Sequence, residues 1–284
     1  MPLAAFGVRL REAMDRYGPL CAGLDPHRAL VESWGLEYSL SGLERFARTC
    51  VEAFAGQVAA VKPQSAFFEV FGSGGIRVLE RVLADLRAAD ILTVLDVKRG
   101  DIGSTMQAYA DAYLDGGSDL RADAVTLSPF LGYGSLRPAL DLAAETGRGV
   151  FVLTLTSNPE GPQVQHAERD RRSVAATVVE GAAADNARAG GRGELGSVGL
   201  VVGATVGDAV DRLGIDLAAA NAPILAPGLG AQGGTPDSLR RVFGPALGNV
   251  LASSSRDVLS AGPDPSALRT RASEAAYALR ELLA

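Results

Sequence analysis

Eight short apolar runs, spaced along the whole chain and separated by stretches of helical periodicity, restrict the fold more than any other feature. They are Leu20–Leu24, Val58–Lys62, Ile91–Val97, Ala124–Leu127, Gly149–Thr156, Val198–Val202, Pro223–Ala226 and Asn249–Ala252. Runs of this length, bounded by Gly, Pro, Ser or Asp, read as buried strands. Between them apolar residues recur at helical spacing, as in Leu40–Gln57, Ile76–Ala89 and the closing segment Pro265–Leu283. Phe6–Tyr17 predicts an additional amphipathic helix ahead of the first strand. One strand and one helix in roughly every 25–35 residues fit repeated right-handed βα units. No Gly-x-Gly-x-x-Gly follows the first strand, so an open dinucleotide-binding sheet lacks its phosphate loop. The expectation is an α/β fold, a closed (β/α)8 barrel formed by one domain over residues 1–284, with an extra N-terminal helix.

Charge and cysteine content narrow the partners. Lys+Arg 27 against Asp+Glu 33 leaves a net charge of −6, which argues against nucleic acid. No apolar run reaches membrane-spanning length. The opening MPLAAFGVRLREAMDRYG mixes charges throughout and lacks the apolar core of a signal peptide. Cys21 and Cys50 form neither a metal-like cluster nor a disulfide framework. These features predict a soluble, cytoplasmic protein with reduced cysteines.

Barrel sites gather at the carboxyl ends of strands, a rule that brings Asp25, Lys62, Asp96, Lys98, Ser157, Gln232 and Arg256 toward one mouth. The stretch ILTVLDVKRGDIGST puts two aspartates, a lysine and an arginine at one strand end. On an extended backbone Asp96 and Lys98 point the same way, and Asp101 can cap a helix starting at about Ile102. Buried acids and an ammonium are costly unless paired. At the last two strands a Gly-rich loop and Arg256 suggest a phosphate site, with Gly233 and Gly234 exposing backbone N–H groups. No His/Cys/carboxylate cluster suited to zinc is present, so metal chemistry is not required. A lysine among acids suits protonation of a carbon from which a negative group has left. Spacing alone leaves aldol, Schiff-base and decarboxylation chemistry open, although neighbouring acids raise a lysine pKa and so disfavour a Schiff base.

LDVKRGDIGST at 95–105 closely resembles the signature of the orotidine 5'-phosphate decarboxylase family. GLDP at 23–26, VKPQSAFFE at 61–69, TLTSNP at 154–159, APGLGAQGG at 226–234 and SSR at 254–256 follow in the family's order. FFEVFGSGG and the chain length resemble its longer bacterial branch. The resemblance implies a cofactor-free barrel that acts as a homodimer and converts orotidine 5'-phosphate to uridine 5'-phosphate and CO2. Carried over by motif, Lys62, Asp96, Lys98 and Asp101 correspond to a Lys-Asp-Lys-Asp array in which Lys98 protonates C6 of the pyrimidine. Asp101 would come from the partner subunit, with Ile102 and Thr105 beside it. Asp25 and Lys62 would meet ribose hydroxyls, Ser157 the pyrimidine edge and Pro227 the base. Gln232 would bridge base and phosphate, and Gly233, Gly234 and Arg256 would hold the phosphate.

Overall fold

The computed structural model describes residues 3–228 and 236–283. Its barrel strands are β1 (Leu20–Leu24), β2 (Ala60–Pro63), β3 (Leu92–Arg99), β4 (Ala124–Leu127), β5 (Gly149–Leu155), β6 (Val198–Val202), β7 (Ile224–Pro227) and β8 (Val250–Ser254). Each pairs in parallel with the next, and the ring closes where β8 meets β1, Ala252 beside Leu20. The expected (β/α)8 barrel is therefore present. Parallel strands covered on both faces read as continuous apolar runs, which is why they stand out in the sequence.

A large core lies between the strands and the surrounding helices, with Leu24, Leu95, Val125 and Val150 among its buried residues. A smaller core fills the amino-terminal end of the barrel. There the helix Phe6–Tyr17 buries Phe6, Leu10 and Met14 against Ala60, Ala124, Phe151 and Leu225. The small alanines leave room for two aromatic rings, Phe6 and Phe151, which meet edge to face at 5.9 Å and 87°. Gly149 is required beside them, because a Cβ there would lie 2.2 Å from the Phe6 ring.

Some boundaries differ from the expected ones. β3 runs past Val97 through Lys98 to Arg99, because Arg99 re-enters register with Leu127 of β4. The helix expected from Ile76 begins at Gly72, so the glycines of GSGG are drawn into its first turn despite their low helix propensity. The helix after β3 begins at Gly103, not Ile102. The polar stretch after β5 forms a helical turn, Pro162–Gln165, and a small antiparallel hairpin. Asp170 and Arg171 turn that hairpin with φ of 53° and 64°, the left-handed pair that a tight two-residue turn needs.

No helix among the described residues is long and apolar enough to cross a membrane. Cys21 and Cys50 are both buried as free thiols, and burial pushes Cys21 up to about 12.

Candidate active site

The carboxyl ends of the strands surround a cavity of about 600 Å³. That volume suits a ligand of nucleotide size. Asp25 from the end of β1, Lys62 from β2, Asp96 and Lys98 from β3, Pro227 from β7 and Arg256 after β8 all line it, as the sequence predicts.

Asp96 is the centre of the charged floor. Its Oδ2 accepts from Lys62 Nζ at 3.0 Å and its Oδ1 accepts from Lys98 Nζ at 2.5 Å. Lys62 and Asp96 are almost wholly buried, whereas the Lys98 side chain is 47% exposed and presents its ammonium to the cavity. Burial pushes the Asp96 carboxyl up, but the two ammonium groups outweigh it and hold it at about 2. Burial pulls Lys62 down, and the carboxylates of Asp96 and Asp25 more than reverse this, so it stays charged. The triad is thus one fixed carboxylate between two cations, Lys62 nearly buried at the cavity wall and Lys98 more open to a ligand.

The bend that allows this is local. Lys98 has φ of 45°, in the left-handed region, and β3 bulges against β4 at this point. Asp25 carries the other notable group: its Oδ1 is buried without a hydrogen-bond partner. An acceptor in that state is costly unless a ligand donates to it.

The rest of the lining comes from Leu153, Val201, Leu225 and Pro227 on β5 to β7 and from Ser253, Ser254, Ser255 and Arg256 at the end of β8. Gly23 allows β1 to approach the last of these serines, since a Cβ there would lie 2.3 Å from Ser255 Cβ. Gln232, Gly233 and Gly234 lie outside the described residues.

Four predicted residues do not reach this cavity. Ser157 is exposed, and Thr156 lines the wall in its place. β5 shifts register between Leu153 and Leu155, which changes which side chains follow inward. Asp101, Ile102 and Thr105 also lie outside the cavity walls. Asp101 does not cap its helix across the first turn; its Oδ1 accepts the N–H of Ile102 at 2.8 Å. Ile102 is 61% exposed, and Phe130 and Leu131, after the adjacent strand β4, are likewise exposed.

Sequence reasoning missed several wall residues. Gln64 lies 3.4 Å from Lys62 Nζ through its Oε1. His27 and Phe67 stand together at the mouth with ring centroids 5.9 Å apart. Thr126, on β4, donates to Asp96 Oδ1 at 2.8 Å. Gln64 falls within the VKPQSAFFE motif and was accessible there; Thr126 sits in an apolar run and gives no signal of its own.

Residues 18–270 match the profile of the family described as Orotidine 5'-phosphate decarboxylase / HUMPS. Orotidine 5'-phosphate decarboxylase of Streptomyces coelicolor is 58% identical over 277 residues, 97% of each chain. That of Salinispora tropica is 57% identical over 268 residues, 94% of each chain. Among solved structures, an orotidine 5'-phosphate decarboxylase fold from Streptomyces avermitilis aligns with a TM-score of 0.95 at 56% identity, covering 100% of this chain and 97% of that one. The Leishmania donovani OMP decarboxylase aligns with a TM-score of 0.71 at 30% identity, covering 98% and 99%.

Proposed function

The chain belongs to the Orotidine 5'-phosphate decarboxylase / HUMPS family, and from that membership we propose how its cavity works as a decarboxylase. The reaction converts orotidine 5'-phosphate to uridine 5'-phosphate and CO2. The bond between C6 and the carboxylate carbon breaks, CO2 leaves, and the electron pair stays on C6. Lys98 then transfers a proton from its ammonium to C6 and is reprotonated by solvent. A fixed ammonium beside C6 stabilises the developing carbanion more than it stabilises the bound substrate. The observation that carries this assignment is Asp96 gripped by Lys62 and Lys98, with Lys98 much the more exposed of the two lysines that line the cavity.

Asp96 holds Lys98 and, being ionised, crowds the carboxylate that must depart. The unpartnered Asp25 Oδ1 accepts from a ribose hydroxyl, with Lys62 beside it. Pro227 lies against the base, Gln232 bridges base and phosphate, and Gly233, Gly234 and Arg256 hold the phosphate. Binding energy from the phosphate, remote from C6, is then available to order the site.

Asp101, Ile102 and Thr105 serve the cavity of a second subunit in a cytoplasmic homodimer of barrels, each chain acting as one domain. Their position outside their own cavity and the exposure of Ile102, Phe130 and Leu131 support this.

The test is direct. Purified protein with orotidine 5'-phosphate in EDTA should release CO2 while the pyrimidine absorbance falls. No turnover there, with turnover of a sugar phosphate on adding magnesium, overturns the assignment.

A further inference from the structure

We propose that Thr126 is a positioning residue for the proton transfer, holding both the backbone and the ammonium of Lys98 through one hydroxyl. The inference rests on the reading of Lys98 as proton donor. β3 and β4 pair at Leu95–Val125 and resume at Arg99–Leu127, so Asp96, Val97 and Lys98 together face Thr126 alone. Where the ladder is interrupted, Thr126 Oγ1 accepts the N–H groups of both Val97 and Lys98 at 3.0 Å. With both lone pairs occupied by donors, the hydroxyl hydrogen has one destination, Asp96 Oδ1 at 2.8 Å.

That oxygen is the same one that accepts from Lys98 Nζ. Thr126 is 1% exposed, so water does not substitute for it. The left-handed backbone of Lys98 is one that a residue with a side chain ordinarily avoids. The two bonds to Thr126 hold the chain in that turn, which sets where the side chain leaves the strand. The third bond orients the carboxylate that sets where the ammonium ends. Valine has the same shape but would bury two N–H groups without an acceptor and deprive Asp96 of a donor.

The experiment compares Thr126→Val and Thr126→Ser with wild type, well below each variant's melting temperature. Thr126→Val should lower kcat by about 10- to 100-fold, the loss of hydrogen bonds around a charged group expressed as rate. KM and the affinity for uridine 5'-phosphate should stay within about threefold, because neither reports the donor's position. Thr126→Ser should recover most of kcat. If the valine variant does not fold, Thr126→Cys takes its place, since a thiol is a weak donor and acceptor, and kcat should fall with KM unmoved. Wild-type kcat in the folded valine or cysteine variant, parallel losses in kcat and nucleotide affinity, or no recovery with serine would each overturn the inference. Lys98→Ala separates the two readings: turnover in that variant removes the proton-donor role itself. An inactive Lys98→Ala beside a fully active Thr126→Val removes only the role of Thr126.

Discussion

Lys62 reaches from β2 to Asp96 on β3 with Nζ 3.0 Å from Oδ2, and both side chains are less than one-tenth exposed. Their pairing ties the fold to pH. The Asp96 carboxyl lies at about 2 in the folded chain, below its ordinary 3.8. A depressed carboxyl adds stability that is fully present above the unfolded value and is lost as pH falls through the folded one. About 2 kcal/mol should therefore disappear between roughly pH 5 and pH 2 from this group alone. In Asp96→Asn that component should vanish, and stability at pH 7 should drop by about 3 kcal/mol because Lys62 stays buried after losing the carboxylate it is hydrogen-bonded to, with only Asp25 nearby. Urea unfolding at a series of pH values measures both; an acid dependence unchanged in the variant would contradict the account.

Lys98→Ala should separate binding from chemistry. Lys98 lines the cavity from β3, with β1 and β2 between it and the strand β8 that leads to Arg256. Affinity for uridine 5'-phosphate should change by less than about tenfold, while kcat falls by at least about 10³-fold. Calorimetry and a spectrophotometric assay on the same preparation check this.

Mixing inactive Asp96→Ala with inactive Asp101→Ala should restore activity if each cavity draws on both chains. With complete exchange, hybrids hold one site with both residues intact, giving roughly a quarter of wild-type activity. Exchange shown by mass spectrometry without any recovery would place Asp101 outside the neighbouring site.

Gly23→Ala should act on the phosphate side. The new Cβ meets Ser255 Cβ at 2.3 Å and so displaces the segment that carries Arg256. KM should rise by about tenfold or more, with a smaller change in kcat. Steady-state kinetics with a thermal melt distinguishes this from unfolding.

The barrel was legible because every strand is buried on both faces, and the motif positions Asp25, Lys62, Asp96, Lys98, Pro227 and Arg256 all reached one cavity. What stayed hidden depends on neighbours distant in the chain. Thr126 reads as one β-branched residue in AVTL, and only the β3 bulge makes its hydroxyl essential to Asp96. The exchange of Ser157 for Thr156 follows from a register shift between β5 and β6 that no local pattern announces. The hairpin at 168–173 is too short and too polar to show alternation, and its turn rests on Asp170 and Arg171 rather than glycine.

The amino-terminal helix has a consequence for traffic through the enzyme. Phe6, Leu10 and Met14 stopper the lower end of the barrel, where Phe6 and Leu10 are completely buried. Among the described residues the barrel is therefore a vessel closed at its lower end rather than a conduit. Nucleotide and CO2 would then share the opening at the strand ends, where passage is governed by the residues that follow the strands.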